Sequence, residues 1–463
     1  MEKFLLNIVK TVNNYLSNYI LVILLVGVGL YYTIRTRFVQ VRCFGEGMKM
    51  VFGNIKLSGG KQKSGLSSFQ ALATAIAAQV GTGNIVGACG AILLGGPGAI
   101  FWMWVIAFFG MATIYAEATL AQETRVVKED GTVLGGPVYY IKRAFTGSFG
   151  KFLAGFFAVA IILALGFIGC MVQSNAISGA VTNVFEGMFD ASVVKLVVAG
   201  LVAVISAFIF IGGVQRLASV TEKIVPLMAV IYLLGSLVVL VMRIEYIPET
   251  FEMIFKYAFK PQAILGGTFG SAIMAAVSQG AKRGLFSNEA GMGSTPHAHA
   301  MANVKKPHEQ GCVAMVGVFI DTFVVLTMTA LVVISTLYTD ARIAKGMLVG
   351  IDKNNMMQVA MSSVWTESIG NLFVAICLLF FAFSTIIGWN FFGRINVQYL
   401  FGKKATIVYS IIAVVFIFLG GIIEESDLVW GLSDMFNNLM VIPNAIALFA
   451  LGSIVVKLSK QEK

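Results

Sequence analysis

The chain has 463 residues, of which 58% are hydrophobic and 12% charged, with a mean hydropathy of +0.85. Soluble domains carry about 25% charged residues, so this composition excludes a water-soluble globule and points to a surface that faces lipid. The net charge of +10 does not mark a nucleic-acid surface, because the basic residues sit in short loops between apolar runs, where they set membrane orientation.

Residues 1–16 place Phe4, Leu5, Ile8, Val9, Val12 and Leu16 on one helical face, which predicts a helix lying on the membrane surface. Apolar runs then predict eleven spans, near 17–35, 67–94, 98–122, 152–181, 192–211, 218–243, 264–300, 312–337, 365–393, 405–423 and 428–456. The first lacks an A-x-A-type cleavage site and reads as an uncleaved span. With the N-terminus outside and the C-terminus in the cytoplasm, 22 of the 33 basic residues fall inside and nine outside, with Lys282 and Arg283 in a helix break. Such a bias supports the count, and it leaves Glu424, Glu425 and Asp427 outside.

The second span is interrupted by Gln79-Val80-Gly81-Thr82-Gly83-Asn84. Unpaired backbone groups cost several kcal/mol each in hydrocarbon, so a break there should line a cavity or bind something. Unwinding would aim carbonyls of the preceding half-helix at a cation and N–H groups of the following one at an anion. The alternative is close helix packing through small residues, which the flanking Gln79, Thr82 and Asn84 make the poorer account. The seventh span is interrupted between Ser278 and Gly293, with Ser278 to Gly280 expected at the depth of the first break. Lys282, Arg283 and Glu289 read either as a gate of paired charges or as the inner end of the span. His297 and His299, at i and i+2, point to different faces and predict no metal site.

Both breaks fall in the first helix of a five-helix half. Such halves run in opposite directions, and matched interruptions in them mark a transporter site at the bilayer midplane. The predicted fold is therefore an all-α polytopic membrane protein, a five-plus-five inverted repeat preceded by one extra helix, with the second and seventh spans discontinuous. Its parts are 1–65, a surface helix, the extra span and a basic cytoplasmic linker; 66–245, the first repeat; 246–263, an extracellular connection; 264–456, the second repeat; and 457–463, a cytoplasmic tail.

In the ninth span, Ser384 and Thr385 supply adjacent hydroxyls that either ligate a cation with carbonyls freed near Ala77 and Val80, or bond their own i−4 carbonyls. Trp389, one turn on, either limits a pocket to a short side chain or faces lipid. The only mid-span carboxylates near the breaks, Glu117 and Asp321, lie on neighbouring spans. A zwitterion suits such a site, because half-helix ends match both of its charges. The five cysteines, Cys43, Cys89, Cys170, Cys312 and Cys377, form no CxxC pair, which supports neither a disulfide framework nor a thiolate metal site. No HExxH motif or nucleophile–base pair appears in the spans, so an enzyme is not expected.

Gly81-Thr82-Gly83-Asn84-Ile85, Gly95-Gly96-Pro97-Gly98-Ala99, Phe101-Trp102-Met103-Trp104, Gly135-Gly136-Pro137, Arg283 to Ser294 and Ser384 to Trp389 together resemble the alanine or glycine:cation symporter family, over roughly residues 15–450. The resemblance implies a LeuT-type fold in a prokaryotic inner membrane and uptake of alanine or glycine with Na+ as coupling ion, with no organic cofactor. Lipid and the small amino acid are the implied partners, and the chain is expected to work as a monomer. It implies that the substrate carboxylate meets Thr82, Gly83 and Asn84 with help from Gln79. The ammonium would meet carbonyls near Ala78 and Ser278, Trp389 would close the pocket, and sodium would sit among Ala77, Val80, Ser384 and Thr385. A proton-coupled amino-acid carrier of the same fold is the alternative, with Glu117 or Asp321 titrating at the ion position.

Overall fold

The computed structural model describes residues 2–53, 65–260, 269–339, 350–424 and 427–460. Helix α1, Phe4–Arg35, is followed by a short linker helix α2, Phe44–Phe52. Then come α3, Ser68–Gln79, and α4, Gly83–Gly95, which meet at a 48° bend. Next are α5, Gly98–Thr124, a two-stranded antiparallel hairpin (Val126–Val127 with Val133–Leu134), and α6, Pro137–Ala144. They lead to α7, Gly147–Val184, α8, Ala191–Ile211, α9, Gly213–Met242, and α10, Ile247–Phe259. The second half contains α11, Phe269–Asn288, α12, Pro296–Ala300, α13, Pro307–Tyr338, and α14, Met356–Ser362. It closes with α15, Glu367–Phe401, α16, Ala405–Ile422, α17, Leu428–Ala450, and α18, Gly452–Leu458.

Among the described residues eight helices are long and apolar enough to cross a membrane, or ten when α3–α4 and α17–α18 each count as one bent span. All ten coincide with predicted spans. The remaining predicted span corresponds to α11, twenty residues long, which does not reach that test; its expected start at 264–268 lies outside the described residues. So do Lys56, Lys61 and Lys63 of the linker, Lys260's neighbours 261–263, Arg342, Lys345, Glu425 and the end of the tail.

Burial sorts the helices into an inner and an outer set. Two thirds of the apolar window is buried in α5, α13 and α15 (67%), against one third in α8, α9 and α16 (33%). The outer faces show Leu201, Val204 and Phe208 on α8 and Ile407, Ile411 and Val415 on α16, side chains that only lipid accepts on this scale. Local chemistry sets the ends. A capping box between Ser67 and Gln70 starts α3, and Asp190 and Thr366 cap α8 and α15.

Two expectations change. Residues 2–15 do not form a separate surface helix; they continue through a π-helical turn into the span that ends at Arg35. Part of their apolar face packs on α17, where Val9 is buried and Asn13 donates to the Gly431 carbonyl at 2.7 Å, while Phe4, Leu5 and Ile8 remain exposed. The second break occupies only the later part of the predicted interval, not the Ser278–Gly280 stretch expected at the depth of the first. Ser278, Gln279 and Gly280 sit inside α11, which stays helical to Asn288. Gly280 meets the backbone of Ala99 and Met103 on α5, so this glycine serves helix packing. The chain unwinds only at Glu289–Thr295, where Glu289 (φ +57°), Gly291 (φ +92°) and Gly293 (φ +78°) are left-handed.

Candidate substrate and ion site

At the first break, α3 ends with Val80 at ψ 89°, and its last carbonyls point at α15. Thr385 Oγ1 lies 3.0 Å from the Ala77 carbonyl and 3.5 Å from those of Ala78 and Val80. Ser384 Oγ lies 3.4 Å from the Ala77 carbonyl. Both hydroxyls also reach the Phe381 carbonyl of their own helix, at 2.9 and 3.0 Å, the self-bonding that the sequence left as one of two readings. The structure brings Ala77, Val80, Ser384 and Thr385 to one point. The approach depends on two glycines: a methyl on Gly81 would collide with Thr385 Oγ1, and one on Gly388 would press on Ala78.

On the other side of the break the polar groups face α7, α11 and α13. Thr82 N–H donates to Gln173 Oε1 at 3.3 Å, while Thr82 Oγ1 and Gln173 Nε2 are buried without a partner among the described residues. Gln79 Nε2 donates to the Asn288 carbonyl at 2.8 Å, joining the two breaks, and its Oε1 is likewise unpartnered. Gly83 packs on Phe286 and Ser287. Asn84 accepts from Gly81 N–H at 3.0 Å and donates to Asp321 Oδ1 at 2.7 Å. Buried groups of this kind are normally paired. Three such orphan atoms lie beside one unwound turn.

Trp389 is fully buried rather than lipid-facing, with its ring against Gly169 and edge-on to Phe286. Its indole N–H donates to Glu289 Oε1, and Ser294 Oγ donates to the other Glu289 oxygen at 2.5 Å. Glu289 occupies the left-handed position that ends α11, where glycine is the usual residue. Ser278, in contrast, is not gathered in. It lies ten residues before the end of α11, about 15 Å along the helix axis.

Glu289 pairs with neither Lys282 nor Arg283 among the described residues, so the gate of paired charges, one of the two readings of these residues, does not form. Arg283 approaches Asp434 at 3.8 Å and stacks over Trp430, which Lys353 also covers, while Glu289 turns inward. The two histidines part company as expected. His297 meets the Ser294 carbonyl and Asn396, and His299 meets Gln310.

Two buried carboxylates brace the breaks. Glu117 on α5 accepts from Gly291 N–H and Gly293 N–H, each at 2.9 Å, and from Asn444 at 2.6 Å. Asp321 on α13 accepts from Asn84, from Ser287 Oγ at 2.9 Å and from Thr322 Oγ1 at 2.8 Å. Among the described residues neither has a hydrogen bond to Ser384 or Thr385. The sequence flagged both as carboxylates near the breaks. It did not signal Gln173 or Asn444 beyond their being polar groups inside apolar spans, and it marked Ser287 only as part of the second break.

The profile of the Sodium:alanine symporter family matches residues 2–462. The chain belongs to this family. It is 40% identical over 455 residues to the sodium/alanine symporter AgcS of Methanococcus maripaludis, covering 98% of this chain and 96% of AgcS. It is 36% identical to the amino-acid carrier protein AlsT of Bacillus subtilis, covering 99% and 92%. Among solved structures it resembles MhsT in complex with L-phenylalanine, with a TM-score of 0.58 at 13% identity over 86% of this chain and 99% of MhsT. That likeness gives the LeuT-type fold alone. The chain is accordingly a multi-pass membrane transporter and not an enzyme.

Proposed function

We propose that this family member carries alanine or glycine into the cell together with sodium, by alternating access across the inner membrane. The carrying observation is the convergence of the Ala77 and Val80 carbonyls on the Ser384 and Thr385 hydroxyls. Hard oxygen donors and no fixed carboxylate suit a weakly charged, dehydrated cation such as sodium. The orphan Thr82 hydroxyl and Gln173 Nε2 are donors that, with the helix end at Thr82–Asn84, suit the substrate carboxylate, while the orphan Gln79 Oε1 is an acceptor that suits its ammonium. The bulk of Trp389 suits a short side chain. Two inverted five-helix halves, with the N-terminus outside, complete the proposed architecture.

One sodium ion suffices energetically. A potential of about 100 mV contributes ~2.3 kcal/mol per charge, and a tenfold gradient adds about 1.4 kcal/mol. A proton-coupled carrier is less well supported, because Glu117 and Asp321 are engaged in bracing the breaks. Labelled-alanine uptake into proteoliposomes, comparing sodium, potassium and pH gradients, tests the reading. Uptake driven by sodium and competed by glycine is expected; uptake driven by a pH gradient alone overturns the ion assignment.

A further inference from the structure

The sequence offered no thiolate metal motif, yet the fold assembles a ligand set from residues far apart in the chain. Cys43, Glu46, His308 and Cys312 each bring one ligand atom, and all four atoms lie within 4.8 Å of one another. Cys43 immediately precedes α2 and Glu46 lies in its first turn. His308 and Cys312 stand four residues apart at the start of α13, a spacing that puts both on one helix face.

The local geometry matches a metal site in three respects. His308 Nε2 is 3.4 Å from Cys312 Sγ and 3.4 Å from Glu46 Oε2. Bonds of about 2.0–2.3 Å in a tetrahedral zinc site give ligand–ligand edges of about 3.5 Å. The other ring nitrogen, Nδ1, lies 2.6 Å from the Tyr115 hydroxyl on α5. An outer-shell partner on one nitrogen orients the other toward the metal, a recurrent feature of ligating histidines. Finally, two glycines permit the assembly. A methyl on Gly47 would run into the Cys312 carbonyl, and one on Gly311 would run into Tyr115 and Thr119. Cys43, His308 and Cys312 are buried, and Glu46 is 38% exposed, which leaves an entry path past the carboxylate.

We propose that Cys43, Glu46, His308 and Cys312 bind one zinc ion that clasps the linker helix α2 to the bundle helix α13. Two thiolates, a carboxylate and a neutral imidazole complete a four-coordinate set of borderline-soft donors, which selects zinc over magnesium or calcium. The two thiols release their protons to solvent on binding. In the proposed topology this cluster faces the cytoplasm, where thiols stay reduced and a Cys43–Cys312 disulfide is disfavoured. The ion would close the set with no free coordination position, so its role is to hold the helices together.

The test uses the full-length, tag-free protein in detergent, loaded with zinc or with cobalt(II) and then passed through metal-free buffer. Elemental analysis is expected to find one zinc per chain, and cobalt is expected to give the intense visible and near-ultraviolet absorption of a tetrahedral thiolate site. Cys43→Ser and Cys312→Ser should each abolish retention at stoichiometric metal. Tyr115→Phe, which keeps the ring and removes the outer-shell partner, should weaken zinc binding by about 10–100-fold in a chelator competition. Size-exclusion profiles establish that each variant is folded, and Glu46→Gln serves as a milder ligand variant should a cysteine variant aggregate. No metal retained by the unmodified chain overturns the proposal. So does retention unchanged in the variants, or a Cys43–Cys312 disulfide in peptide maps of protein alkylated at lysis.

Discussion

The Asn84 carboxamide donates to both the Oδ1 and the backbone carbonyl of Asp321, at 2.7 and 3.1 Å, binding the first helix break to a residue 237 positions away. The same carboxylate accepts from Ser287, beside the second break. Asp321→Ala should leave several buried donors unpaired at about 1–3 kcal/mol each. A marked fall in melting temperature and loss of uptake are expected, with Asp321→Asn intermediate because it retains one acceptor oxygen. Unchanged melting and uptake in Asp321→Ala would refute the bracing role.

The hydroxyl pair makes a sharper prediction. Thr385→Val removes an oxygen that lies 3.0 Å from the Ala77 carbonyl while keeping the shape of the side chain. Loss of one ligand oxygen should raise half-saturating sodium at least about tenfold, equivalent to about 1.4 kcal/mol, and Ser384→Ala combined with it should abolish sodium dependence. Uptake assayed over a sodium titration decides it. Retention of the original sodium dependence in the double variant removes these residues from the ion site.

Glu289 is left-handed, a conformation that strains a residue with a side chain by about 1–2 kcal/mol. Glu289→Gly relieves that strain but leaves the Trp389 and Ser294 donors unpaired at about 1–3 kcal/mol each, so a lower melting temperature and depressed uptake are expected. Glu289→Ala loses the same links and keeps the strain, so it should melt lower still. Equal melting temperatures for the two variants would show that the left-handed backbone costs nothing here.

Trp389 can be dissected in the same way. Trp389→Phe keeps a ring against Gly169 and Phe286 and loses the hydrogen bond to Glu289, worth about 0.5–1.5 kcal/mol. Alanine uptake should persist with a weaker apparent affinity. Trp389→Ala should let larger neutral amino acids compete with labelled alanine; unaltered selectivity would place the ring outside the pocket.

How far the sequence could be read depended on whether a signal was local. Gly81, Gly83 and their polar neighbours stand out inside an apolar run, and the chain does break there. In the second predicted interval the same type of signal held only in part: Gly291 and Gly293 fall in the unwound stretch, whereas Gly280 is a packing contact with α5. Composition does not separate these two uses of glycine. Periodicity found the apolar side of residues 2–15, but it carries no information on which part of that side packs on α17, as Val9 does, and which stays exposed, as Phe4 does. The partners of Glu117 at Gly291 and Gly293, 174 and 176 residues on, and the meeting of Cys43 with Cys312 depend on tertiary packing. No spacing rule reports such contacts.

The length of α15 has an electrical consequence. Its 35 residues extend about 52 Å at 1.5 Å per residue, well beyond a hydrocarbon core of about 30 Å. Ser384 and Thr385 fall at the middle of that rod. A cation held there from outside would have crossed roughly half of the transmembrane voltage drop, worth about 1.1 kcal/mol per 100 mV. Loading of the carrier would then sense the potential before any helix moves. Half-saturating sodium should fall as proteoliposomes are made more negative inside, and an affinity indifferent to potential would put the ion near the outer surface instead.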